Sequence, residues 1–293
     1  MRLNEGRPPG KEPELRGPKK KTTDVPSESV AVHMLTPEEG QPPGPASPPE
    51  EMEERPQRLL SLDAFRGLTI VLMLLVNNIA LDKWTPDQLV HAPWNGGIRL
   101  ADIVYPWFLF TIGLSIPFSV AGFRRKGMPA WRFDLRVLWR AAVLVLLGCI
   151  IDSSITHRPE FSLGVLQLIG FAYLFGALLY ELNLIRRLFF SAVLLTGYWA
   201  AIKFLPAPGI GVGVFEESRN LIAYLNNAHL AAAHLDGLLS VVPTTALVLI
   251  GTALGDLLLS KKTSQEWKAF TLLIVGVLLV LLGVLWDISL PLR

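Results

Sequence analysis

The 293-residue chain is 51% hydrophobic and only 18% charged, with a mean hydropathy of +0.41, which excludes an ordinary water-soluble domain. Its formal net charge of +2 gives no sign of a nucleic-acid partner. The single cysteine, Cys149, rules out an intrachain disulfide and CxxC-type metal sites.

Residues 1–57 hold 12 of the 22 prolines and no Phe, Trp or Tyr. A segment of this kind buries too little apolar surface to offset the entropy of ordering, so it reads as a disordered Pro-rich tail. It begins basic, at Lys19, Lys20 and Lys21, and ends acidic, at Glu50, Glu51, Glu53 and Glu54. It has no apolar h-region and is not a signal peptide.

From Leu59 onward apolar blocks appear over 59–80, 100–121, 135–151, 162–180, 184–205, 238–259 and 269–290. A bilayer core takes about 20 helical residues to cross, and these blocks are too long and continuous for barrel strands. The expected fold class is therefore all-α: a polytopic helical membrane protein with about seven transmembrane helices, occupying 58–293. Span three has the shortest apolar core. The loops after spans two, four and six hold nine basic residues, among them Arg124, Arg125, Lys126, Arg186, Arg187, Lys261 and Lys262. The loops after spans one, three and five hold four: Lys83, Arg99, Arg158 and Arg219. That asymmetry places the N-terminus in the cytoplasm and the loop after span one on the opposite side. Arg132, Arg136 and Arg140 form a basic stripe suited to reaching lipid phosphates.

A few polar residues within or beside the spans ask for a reason. Asp63 and Arg66 are three apart in span one and are expected to pair as a structural ion pair, with ligand binding as the alternative. Asn77 and Asn78 close the same span, as a C-cap or as amides facing a ligand. The loop over 81–99 is turn-rich through Pro93, Gly96 and Gly97 and carries His91 among Trp94 and Asn95. Asp102, in the first turn of span two, suits a helix-dipole partner or a carboxylate that orients the imidazole. Pro106 and Pro117 are expected to kink span two and open room beside the loop. His157, His229 and His234 share the side of His91, but their spacing fits no metal motif, and no metal is expected. No phosphate loop, no GxSxG elbow and no pair of broken inverted helices occurs.

Several strings together resemble one family. They are Leu-Ser-Leu-Asp-Ala-Phe-Arg-Gly-Leu (60–68), Val-Asn (76–77), His-Ala-Pro-Trp-Asn-Gly (91–96) and Ala-Asp-Ile-Val-Tyr-Pro-Trp-Phe-Leu-Phe (101–110). Further on come Gly-Val-Leu-Gln-Leu-Ile-Gly-Phe-Ala-Tyr (164–173) and His-Leu-Asp-Gly-Leu-Leu-Ser-Val-Val-Pro (234–243). In this order they resemble the heparan-alpha-glucosaminide N-acetyltransferase family and its bacterial relatives, over everything after residue 58. The resemblance implies a membrane enzyme that takes acetyl from acetyl-CoA, as co-substrate, to the amino group of a glucosamine-type sugar across the bilayer. It implies that His91 is catalytic, and it matches Asn77 and Asp102 to polar family positions. Members of the family carry more spans than these, so the chain is expected to be a C-terminally short member and its domain incomplete.

The chemistry suits the residues. An amine attacks a thioester only when neutral, and an imidazole can take its proton near neutral pH. Alternatively, the imidazole attacks first and carries the acyl group. Asn77 and Asn95 are then polar contacts, Asp102 orients the ring, and Trp94 stacks on a sugar or anchors at the interface. The expected setting is a bacterial inner membrane, or a lysosome-type membrane in a eukaryote, with lipid and the amino sugar as partners and room for a homo-oligomer. The competing readings are a transporter of a sugar or lipid-linked substrate and an inactive truncated member.

Overall fold

The computed structural model describes residues 60–79, 82, 84–94, 96–158 and 163–288. The tail over 1–57 and Asn95 lie outside them. The described residues form α1 (Leu60–Asn78), α2 (Leu100–Arg125), α3 (Ala130–Thr156), α4 (Val165–Leu179), α5 (Leu184–Phe204), α6 (Leu221–Leu225), α7 (Val241–Leu259) and α8 (Gln265–Asp287). A small antiparallel hairpin pairs β1 (Pro206–Ala207) with β2 (Gly211–Val212) between α5 and α6.

Seven helices stand where the seven apolar blocks lie, and α6 is a short addition in the longest connection. The protein is an all-α polytopic membrane protein. Among the described residues, five runs are long and apolar enough to cross a bilayer: α1, α2, α5, α8 and the run Leu238–Leu259 that contains α7. The other two are less regular as crossings. α4 has 15 residues, about 22 Å of helix. α3 has 27 and starts earlier than the apolar pattern predicts, taking Arg132, Asp134, Arg136 and Arg140 into its first half. Two members of that basic stripe lie over aromatic rings: the Arg136 guanidinium 5.1 Å from the Phe123 ring centroid, and that of Arg132 5.4 Å from the ring of its neighbour Trp131.

The bundle is built around α2 and α7. Successive spans alternate in direction, so both helices descend from the end of the bundle that carries His91. They touch backbone to backbone. A Cβ added at Gly113 would lie 2.3 Å from the Val248 carbonyl oxygen, and one at Gly251 would lie 2.6 Å from that of Phe110. Gly255 repeats the pattern against Leu114. Small residues permit this approach, the usual device where lipid supplies no hydrophobic drive between helices. α2 runs unbroken through Pro106 and Pro117. Leu109, Ile116, Val120 and Phe123 form its inner stripe, packed with Phe133 and Val137 of α3, Ile169, Ala172 and Ala177 of α4, and Val248 of α7. α1 buries only Thr69 and α8 only Lys268, so both are peripheral and present apolar side chains outward.

Polar clamps tie the inner helices. Gln167 of α4, 1% exposed, donates to Asp152 of α3 at 2.7 Å. At the opposite end of the bundle from His91, Arg187 of α5 forms an ion pair with Asp256 of α7 and donates to Thr252 at 2.9 Å. Its guanidinium also lies 4.5 Å from the Tyr180 ring centroid, and the Tyr180 hydroxyl donates to Asp256 at 2.7 Å. With its side chain 5% exposed, Arg187 is not the loop cation that its position between two spans suggests. It is a buried charge with a dedicated partner.

Two outcomes follow from this packing. Arg187→Met and Asp256→Asn should each cost about 3–5 kcal/mol by stranding the other charge, while Arg187→Met with Asp256→Leu should recover much of the loss, read as melting temperature in detergent. Gly113→Val should cost at least about 1–3 kcal/mol by driving α2 off α7, whereas Gly197→Ala, at a position with open space, should leave the melting temperature unchanged or raised.

Candidate active site

Ahead of α2, the described residues of 84–99 make tight turns. A single 3-10 turn covers Asp87–Leu89, and the Gly96 N–H closes a second turn on the Pro93 carbonyl at 2.8 Å. Gly97 follows with φ +82°, a conformation that suits glycine. The chain then enters α2, and the third residue of that helix is Asp102.

Asp102 gathers the segment around itself. One carboxylate oxygen, Oδ2, accepts the backbone N–H of Arg99 at 3.0 Å, the reach-back bond of a helix N-terminus, and that of Ala92 at 3.2 Å. The other, Oδ1, lies 2.8 Å from Nδ1 of His91. A carboxylate only accepts, so Nδ1 carries the hydrogen, and in the neutral ring the lone pair is on Nε2. The His91 side chain is 68% exposed and Asp102 17%, so the acid is anchored and the imidazole projects from it. The N–H of Leu100 is taken by Gln88 Oε1 at 3.1 Å.

A second connection meets this one. The Trp94 ring lies 5.0 Å from that of Phe215, inclined at 46°. Phe215 is bridged to Asn220, whose side chain caps α6 by accepting from the Ala223 N–H at 2.8 Å. The segment after α5 thus packs beside the His91 segment. Phe215, Gln88 and Gln167 escape a reading of spacing alone. Gln167 has a signal, as a lone amide in an apolar run, but nothing local distinguishes Gln88 or Phe215.

The other expected residues are placed less directly. Asn77 is exposed on the last turn of α1, and Asn78 bonds back to the Leu74 carbonyl at 2.8 Å. Asn95 is outside the described residues. No hydrogen bond or ion pair joins Asp63 to Arg66, which corrects the expected pairing. The protein-facing stripe of α1 is Leu62, Phe65, Arg66, Thr69, Leu72 and Met73, and Asp63 lies off it and is exposed. Arg66 Nε is buried without a hydrogen-bond partner. His157 caps α3 with φ 55°, His229 packs on Tyr224, and His234 has φ 54°. Among the described residues, no three of His, Cys, Asp and Glu come together as a metal-ligand group.

This arrangement can hold an exposed imidazole in one orientation with a defined lone pair at the membrane boundary, which is what base or nucleophilic catalysis asks of a histidine. Comparison with known proteins agrees with the pattern of motifs. The heparan-alpha-glucosaminide N-acetyltransferase of Homo sapiens is 35% identical over 135 residues, 42% of this chain and 19% of the relative. That of Mus musculus is 33% identical over 142 residues, 45% of this chain and 20% of the relative. The matched stretch is thus about a fifth of the length of these curated relatives. A family model described as heparan-alpha-glucosaminide N-acetyltransferase, catalytic, matches residues 58–286, nearly all of the chain beyond the tail, and the chain belongs to that family.

Proposed function

We propose that the domain over 58–293 is a membrane acyltransferase that moves acetyl from acetyl-CoA to the amino group of a glucosamine-type sugar, with His91 as the reacting side chain. The observation that carries this reading is the 2.8 Å contact between His91 Nδ1 and Asp102 Oδ1. It leaves Nε2 free to take a proton, and family membership supplies the reaction class.

The amine nitrogen attacks the thioester carbonyl carbon, the C–S bond breaks, and an amide forms. His91 Nε2 takes the ammonium proton as the bond forms and returns it to the departing thiolate. In the alternative order Nε2 attacks first, releases CoA and passes the acetyl group to the amine. Both orders use the same nitrogen. Asp102 holds the ring in one tautomer and stabilises the imidazolium or acyl-imidazolium that forms, as carboxylates do for catalytic histidines. Trp94 offers a ring face to the sugar, and Asn77 and Asn95 are polar contacts for it.

The loop charges support a cytoplasmic N-terminus and a site on the other side of the membrane, where the acceptor is met. In a Cys149→Ala background, Asp87→Cys should then react with a membrane-impermeant maleimide in intact cells, and Lys262→Cys only after permeabilisation. The reverse pattern would invert the topology.

Membranes given labelled acetyl-CoA and glucosamine should form the N-acetyl sugar. His91→Ala should lower that rate by about 10²–10⁴-fold, and Asp102→Asn should also impair it, through kcat rather than KM. Full activity in His91→Ala would remove the catalytic assignment.

A further inference from the structure

Beside the Trp94–Phe215 packing, three kinds of side-chain contact tie the segment that carries His91 to the first turn of α2. Asp102 supplies two, by binding the imidazole and by accepting the N–H groups of Ala92 and Arg99. The third is Gln88, whose Oε1 accepts the N–H of Leu100 at 3.1 Å. Leu100 is the first residue of α2, so its N–H has no partner inside the helix. Gln88 is itself held in the 3-10 turn Asp87–Leu89, with the Leu89 N–H on the Pro86 carbonyl at 2.9 Å and the Val90 N–H on that of Asp87 at 3.3 Å.

His91 follows that turn by two residues. Its backbone is therefore bracketed by two anchors on the same helix terminus. Asp102 fixes the ring and the residue after it; Gln88 fixes the approach before it. Without the Gln88 anchor, the 3-10 turn keeps its internal bonds but loses that hydrogen bond to α2. The imidazole can then swing while the Asp102 carboxylate stays in place through Arg99.

We infer that Gln88 is a positioning residue for His91: by capping the N-terminus of α2 through Leu100, it holds the turn before His91 at the distance from which the imidazole reaches Asp102. This rests on the acyl-transfer reading only for its effect on turnover. Gln88 touches neither His91 nor Asp102 through a hydrogen bond, and its side chain is needed only as an acceptor. A glutamate at the same place keeps the acceptor and adds a negative charge that the helix terminus favours.

The test compares Gln88→Ala and Gln88→Glu with the unaltered protein in proteoliposomes. Gln88→Ala should lower kcat for acetyl transfer by about tenfold and leave KM for acetyl-CoA and for the sugar unchanged, because misplacement of a reacting group acts on the chemical step. Gln88→Glu should return kcat to within about twofold. A second measurement does not need turnover: the rate at which diethyl pyrocarbonate modifies His91, read on its peptide by mass spectrometry. It should change in Gln88→Ala in the same direction as in Asp102→Asn and return in Gln88→Glu. The inference is overturned if Gln88→Ala leaves kcat and the modification rate unaltered, if KM moves in place of kcat, or if Gln88→Glu is as impaired as Gln88→Ala. If His91→Ala keeps full transfer activity, the acyl-transfer reading fails instead, and the modification rates alone then decide for or against Gln88.

Discussion

The backbone contact between α2 and α7 is the constraint on which the rest of the molecule depends. Gly113 and Gly251 leave no room for a side chain between the two helices, and Gly255 extends the contact toward Pro117. Helices held this close have one relative rotation and one register. α2 is thereby fixed at mid-length, and its inner stripe receives α3 and α4 on one side. Asp102 belongs to the same rigid rod, so the anchor for His91 inherits its position from a contact about 16 Å deeper in the bundle.

This explains how a site in an irregular segment can have defined geometry. The described residues between α1 and α2 make tight turns and little regular structure, yet the imidazole is tied to a closely packed helix. Asp102 acts as a hub because it sits where a helix has spare donors and a chain entering from outside has one more. One carboxylate thus does two tasks, one with each oxygen. Trp94 and Phe215 join the hub to the connection after α5, bringing a second segment of chain to the same end of the bundle.

Helix placement is legible in the sequence because apolar runs of membrane-spanning length have few alternatives in lipid. The pairing of His91 with Asp102 is legible for a related reason: an acid in the first turn of a helix seeks donors, and a histidine lies in the chain just before it. Where spacing alone is used, the reading fails. Asp63 and Arg66 are correctly placed near one another on a helix, but α1 has its main neighbour, α2, on one side, and only Arg66 faces the protein. Arg187 fails for want of long-range information. Its sequence neighbourhood is that of a loop cation, and only the arrival of Asp256 from α7 turns it into a buried partner. The start of α3 is missed because its first two turns are charged, and helicity there follows from packing against Phe123 instead of from apolar periodicity.

The separation of 69 residues between Arg187 and Asp256 also constrains how the protein is made. A ribosome delivers α5 to the membrane well before α7 exists, so the Arg187 guanidinium meets the bilayer with no carboxylate to receive it. An unpaired charge is costly in hydrocarbon, and near a helix end such a side chain is accommodated by reaching to the water boundary. The pairing of Arg187 is therefore completed only after α7 has been made. The seam between α5 and α7 closes only when both helices are present.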